Sequence, residues 1–290
     1  MSTVDQPFGI QRQRNLESRD GWERYAVHRR HVMELLVEDL VPPAGRLCVL
    51  GAGNCNDLDL AQLLEHYEQV HLVDRDRAAL EFGTRQQQLA THSRIVLHGG
   101  VDVTGDGMEL TSPSSRARTT ANSTNSTPNE THDRHDWALP GPFEVVVSTC
   151  LLTQLLDAVR LSLGEQHTDL TESVLSVRDQ HLRRLVSLTA AGGRFVLVTD
   201  IVSSATFPDL AHVPNENLAA ALIRLIAAQN FFTGVNPFAL LQFYHMDPAT
   251  SGLVSDVRLA RPWLWDFGPR VYAVCGLCAR KKDTVETIRS

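Results

Sequence analysis

The sequence predicts an α/β fold: one domain, doubly wound around a mostly parallel seven-stranded sheet with an antiparallel closing strand, preceded by a leading N-terminal helix. Three observations predict it. Short apolar runs alternate with stretches of helical periodicity, the first run ends in a glycine-rich turn, and the last two runs follow one another without a helix long enough for a crossover.

The leading helix is predicted over residues 22–40, where Trp22, Tyr25, Val32, Met33, Leu36 and Leu40 recur at roughly helical spacing until Pro42 and Pro43 stop it. Residues 46–50 are apolar after the opening Arg46, as expected of a strand buried on both faces of a parallel sheet. A helix opened by Asp57 follows over 57–67. Next come a strand at 70–73 ending in Asp74, a polar helix at 77–89 and a third strand at 94–98. Residues 106–140, rich in Ser, Thr, Asn and Pro, have little to bury and read as a disordered insertion. A fourth strand is predicted at 143–148, helices at 151–159 and 171–189, a fifth strand at 194–199 and a helix at 217–229. Two closing strands, 254–259 and 271–278, are joined directly through residues 261–269. The domain is thus bounded at 19–282, with a flexible amino terminus at 1–18 and a tail at 283–290.

With 290 residues and 43% hydrophobic content, the chain can bury a sizeable core. A formal net charge of −7 supplies no general basic field for a phosphate backbone, so no nucleic-acid partner is expected. No segment has the length and apolarity of a membrane span, and no export signal opens the chain, so a cytoplasmic protein without a membrane partner is expected. The Asn-x-Ser/Thr triplets at Asn122, Asn125 and Asn129 are then chance features of a polar tract. Five cysteines make no disulfide framework, and Cys275 and Cys278, three apart in a predicted strand, point to opposite faces and read as core residues rather than metal ligands. His28, Arg29, Arg30 and His31 read as the solvated side of the leading helix. Trp263 and Trp265 read as packing beneath the sheet.

The order of elements, the turn Gly51-Ala52-Gly53 after the first strand, Asp74 at the end of the second and the antiparallel closing pair together resemble the class I S-adenosylmethionine-dependent methyltransferases. The similarity spans about residues 22–281 apart from the insertion. It implies S-adenosyl-L-methionine as cofactor and a methyltransferase activity. In that family glycines let backbone approach the cofactor, which places Gly51, Ala52, Gly53 and Asn54 against it. Asp74, with Arg75 beside it, is the implied acceptor for the ribose hydroxyls, about 20 residues beyond the turn. Asp102 and Val103 are implied near the adenine, and Ser148 and Thr149 where cofactor and substrate meet. Tyr25, Arg29, Gln154 and Asp200 are candidates for the substrate side. The pattern departs from the family's acidic-x-Gly-x-Gly-x-Gly at Val49 and Cys55. Asn54, Asn56 and Asp57 offer polar groups to the methionine end in compensation.

Methyl transfer from a sulfonium needs positioning in a water-poor site and a base only where the acceptor carries a proton of high pKa, so no fixed triad is expected. No Asn/Asp-Pro-Pro-aromatic tetrapeptide is present; Asn236-Pro237-Phe238 only echoes one. The acidic chain favours a small-molecule substrate, approached through residues 201–213, 231–244 and the leading helix. The aromatic residues Phe231, Phe232, Phe238, Phe243 and Tyr244 could wall an apolar pocket or fill the core. Two other readings stay open: transfer of the aminocarboxypropyl group of the same cofactor, and a non-catalytic binding or scaffold protein. The sequence specifies neither the substrate nor the oligomeric state.

Overall fold

The computed structural model describes residues 6–103 and 139–283. The insertion read at 106–140 and the tail beyond 283 lie, but for a few residues at their edges, outside the described residues. In chain order the helices are α1 (Gln6–Glu17), α2 (Ala26–Val37), α3 (Leu60–His66), α4 (Arg77–Gln86), α5 (Leu152–Leu163), α6 (Leu170–Leu188), α7 (Leu218–Ala227) and α8 (Pro237–Met246). The strands are β1 (Arg46–Leu50), β2 (Gln69–Asp74), β3 (Ile95–Gly99), β4 (Phe143–Thr149), β5 (Thr189–Ser203), β6 (Val254–Leu259), β7 (Trp263–Asp266) and β8 (Val271–Lys281).

They form one sheet in the order β3-β2-β1-β4-β5-β8-β6, with β7 also paired to β8. The pairs from β3 to β5 are parallel, and β8 runs antiparallel to β5, β6 and β7. Strand alternation splits the core in two. Leu47 and Val49 of β1 face a cluster with Val32, Met33 and Leu36 of α2 and Leu60, Leu63 and Leu64 of α3. Cys48 and Leu50 face the opposite cluster, filled from α5, α6 and α8. The helix starts follow from local chemistry: Asp59 caps α3 by accepting from the Gln62 N–H, and Asp76 caps α4 by accepting from Ala78 and Ala79.

The fold class is as the sequence predicts, with three differences. The sheet has eight strands instead of seven. After Pro262, which has no N–H to donate to a ladder, the chain resumes pairing, and Trp263 to Asp266 add to the same edge of β8 that β6 occupies further along. Second, the amino terminus expected to be flexible is helical over Gln6–Glu17. Its polar sequence lacks the apolar stripe of a packed helix, and polar side-chain bonds fasten it instead. Third, α8 lies within the aromatic-rich segment. Tyr244 is buried against Phe195, and Phe232 and Phe243 pack on the same core, so for these three the core alternative holds, while Phe238 is exposed.

Candidate functional site

The site grows from the end of β1. Gly51 and Gly53 have φ of +77° and +47°, which glycine adopts freely, and the Gly51 and Ala52 N–H groups donate to the Val73 carbonyl of β2. Cys55, which stands where the related pattern has its third glycine, has φ +55°. The turn therefore keeps a glycine-like backbone with a cysteine in it, the Cys55 side chain being absorbed by the core. Val49, in the place of the acidic residue, is fully buried between strands and could not carry a charge there.

Asp74 closes β2 beneath this turn and is 2% exposed. Its Oδ2 accepts the Gly53 N–H at 2.9 Å, and its Oδ1 accepts the Asp76 N–H at 2.8 Å and the Gln11 side-chain amide at 3.3 Å. Burial pushes its carboxyl up to about 6, against the pull of those backbone donors. Helix α1 crosses over the turn. The Asn15 carbonyl accepts from the Asn54 amide at 2.5 Å, the Ser18 carbonyl from the Asn56 amide at 2.7 Å, and Arg14 pairs with Asp157 of α5 at 3.0 Å.

A cleft opens beside this assembly. One side is the turn itself, from Gly51 to Asp57; the floor is Thr149, Cys150 and Gln154; the remaining wall is Tyr25, Trp265 and Phe267, with Arg14, Asn15 and Ser18 at its rim. Tyr25 and Trp265 meet edge to face at 5.1 Å, and Trp265 and Phe267 at 5.2 Å. Beneath the aromatic wall, His28 is buried and stacks on Trp265 at 4.4 Å. The reading of His28 as solvated is thus corrected, because β7 lies across this face of α2. Trp263 donates its indole N–H to His28 Nδ1 at 3.1 Å, which leaves the ring proton on Nε2, 3.8 Å from Asp57 Oδ1. Burial pulls His28 down to about 3, so it is neutral at ordinary pH.

The expected site residues divide into three groups. Gly51, Ala52, Gly53, Asn54, Thr149, Tyr25 and Gln154 line the cleft, with Asp74 directly under its turn. Arg75 and Asp102 pair with each other at 3.5 Å across the ends of β2 and β3, outside the cleft lining. Four residues are turned elsewhere. Ser148 alternates with Thr149 to the opposite face of the sheet and bonds His181 at 2.9 Å in the core, and Val103 packs in that same core. Arg29 lies on the Trp22 ring, 3.5 Å from guanidinium carbon to ring centroid, and donates to the Asn56 carbonyl, bracing the turn from behind. Asp200 accepts the Thr153 hydroxyl at 2.6 Å below the floor. The sequence reading missed Gln11, Arg14, Asn15 and Ser18, although Gln11, Asn15 and Ser18 fall at helical spacing on one polar face. It also favoured packing for Trp265.

No family model matches the chain, and no curated protein matches it. Solved structures that the chain is similar to include the N-methyltransferase NodS from Bradyrhizobium japonicum WM9, with 11% identity, 90% of this chain and 98% of that chain covered and a TM-score of 0.46. Human N-acetylserotonin methyltransferase, solved with S-adenosylmethionine, gives 14% identity, 94% and 57% coverage and a TM-score of 0.46. Magnesium protoporphyrin IX methyltransferase from Synechocystis PCC 6803, solved with S-adenosylhomocysteine, gives 12%, 88% and 83%, and 0.43. The strand order, mostly parallel with an antiparallel closure, is the one expected from the sequence. Among the described residues no group of three or more His, Cys, Asp or Glu could hold a metal ion, and no helix is long and apolar enough to cross a membrane.

Proposed function

We propose that the chain binds S-adenosyl-L-methionine at the Gly51 to Asp57 turn and transfers its methyl group to a small-molecule acceptor in the adjoining cleft. One observation carries this reading: the Asp74 carboxylate, buried at the carboxyl end of β2, holds the glycine turn through the Gly53 N–H. Open α/β sheets gather their ligand contacts at that end of the strands. The donor and acceptor set fits the cofactor. Asn54 and Asn56 each keep a buried Oδ1 that finds no hydrogen-bond partner among the described residues, which leaves acceptors for a donor-rich ligand. A Cβ at Gly51 would come within 2.8 Å of the Leu151 Cβ, so the turn tolerates no side chain at that point.

When bound, the cofactor supplies a methyl group made electrophilic by its sulfonium. The protein's part is positional. Asp74 can exchange the Gln11 amide for ribose hydroxyls, while the Gly53 and Asp76 N–H groups keep the carboxylate oriented. Helix α1 covers the turn, and Tyr25, Trp265 and Phe267 keep water from one wall, which strengthens every electrostatic contact inside.

Calorimetric titration with S-adenosylmethionine and S-adenosylhomocysteine tests the binding step, and the fate of a labelled methyl against a labelled aminocarboxypropyl group in cell extract tests the transfer. Saturable binding with methyl label in a small-molecule fraction is the expected result. Absence of binding refutes the reading, and aminocarboxypropyl label refutes the transferred group.

A further inference from the structure

Helix α7 is apolar on the side it turns to solvent. Nine of its ten residues are apolar, and Arg224 is the exception. The inner side is accounted for: Leu218 and Leu222 are buried in a satellite core with Ile201 and Val202 of β5 and Ala273 of β8, and Leu225 packs against the same cluster. The outer side carries Ala219, Ala220, Ile223 and Ala227, all exposed, Ile223 to 56%. Helix α4, by contrast, turns Arg77, Arg85 and Gln86 outward. A helix that is apolar all round is one that is covered on both sides, and an outward seam of apolar residues three and four apart is the pattern by which one helix meets another.

The charges beside this seam identify what covers it. Glu216 stands just before the helix and Arg224 within it, both exposed, and neither is in an ion pair among the described residues. Along a helix that spacing amounts to about 12 Å, too far for the two to pair within one chain. In an antiparallel pair related by a twofold axis beside Ala220 the two ends exchange. Ile223 of each copy then lies against Ala219 and Ala220 of the other, whose small side chains let the helices approach to about 8 Å, and Arg224 of each copy comes within a turn of the other's Glu216. A membrane surface would instead call for aromatic side chains on the apolar side and several cations beside it. Helix α7 has no aromatic residue and one arginine, in a chain of net charge −7.

We propose that the outer face of α7 is a self-association surface, through which two copies of this chain pair by antiparallel α7 helices, with Ile223 packed on Ala219 and Ala220 across the interface and Glu216 paired with Arg224 at both ends. A helix of ten residues is about 15 Å long, so the contact is small for a protein interface and a dissociation constant of roughly micromolar order follows. None of these residues lines the cleft, and the surface stands independently of the methyltransferase reading.

Sedimentation velocity on the full chain, from about 1 μM to about 300 μM, tests it and should show a monomer–dimer equilibrium that salt weakens. Ile223→Glu, at an exposed position, should raise the dissociation constant about tenfold or more. Glu216→Arg and Arg224→Glu should each raise it about threefold to tenfold by setting like charges against each other, and the double variant, which restores the pair with its signs exchanged, should return to within about threefold of wild type. Circular dichroism of each variant should match wild type, which keeps the readout on the surface and not on the fold. A monomer at every concentration, a dimer that Ile223→Glu leaves intact, or a double variant no tighter than the single ones overturns the proposal. So does binding of a chain that stays monomeric to phosphatidylcholine vesicles when Ile223→Glu abolishes that binding, since a membrane would then be the occupant of this face.

Discussion

Two carboxylates meet at the turn between β1 and α3, Asp74 from the end of β2 and Asp57 from the turn itself, and the molecule treats them differently. At the Asp74 end every carboxylate oxygen has a donor from within the protein: two backbone N–H groups and the Gln11 amide. At the Asp57 end the carboxylate, the His28 Nε2 that stands 3.8 Å from it and the Trp265 Nε1 make no hydrogen bond among the described residues. The first end holds the glycine turn in place. The second end is kept open, and burial pushes the Asp57 carboxyl up to about 7 despite the pull of Arg29. Satisfied polar groups define a shape, while unsatisfied ones define what the shape is for.

Breaking the satisfied end should have the largest effect. Asp74→Ala leaves the Gly53 and Asp76 N–H groups without their acceptor, and a loss of about 2–4 kcal/mol in unfolding free energy is expected in a urea titration. Next is Gly51→Ala. The position combines φ +77° with a Cβ that would press on Leu151, so a cost of about 1–3 kcal/mol is expected by the same measurement, together with weaker cofactor binding.

The open end should respond in the opposite sense. The folded-state pKa of Asp57 is raised above its ordinary value near 3.8, so its protonated form favours folding below that value and the benefit is lost as pH rises through about 7. Asp57→Asn removes the cost of the buried charge. Its melting temperature should exceed that of wild type by about 2–6 °C at pH 8 and match it near pH 4, as differential scanning calorimetry at the two pH values would show. An equal difference at both pH values would mean that the substitution acts through packing and not through charge.

The smallest effect is expected at the lid. Gln11 donates to Asp74 at 3.3 Å, a long bond in the place where the proposed ribose contacts would form. Gln11→Ala should raise cofactor affinity about twofold to fivefold in a calorimetric titration, with stability changed by less than about 0.5 kcal/mol. Weaker binding would instead show that Gln11 itself touches the cofactor.

The Asp74 end was legible in the sequence because its parts are local: an apolar run, two glycines within three residues, and an acid where the next apolar run stops. The Asp57 end was not, because its wall comes from a four-residue strand between Pro262 and Pro269 and from the start of α2, far apart in the chain. Trp265 and His28 read as packing and surface until β7 is laid over α2. Helix α1 escaped for a different reason. It is held by polar bonds from Gln11, Arg14 and Asn15, and apolar periodicity is blind to such contacts. Cys55 is the converse case: the sequence showed a lost glycine, and the backbone kept its conformation.

The assignment of the cofactor to the turn held by Asp74 is tested most directly by titrating S-adenosylhomocysteine into wild-type protein and Asp74→Ala under identical conditions. Wild type should bind with a single saturable phase, and Asp74→Ala should lose about tenfold or more in affinity while retaining its far-ultraviolet circular dichroism. Unchanged affinity in Asp74→Ala would contradict the assignment of the cofactor to this turn.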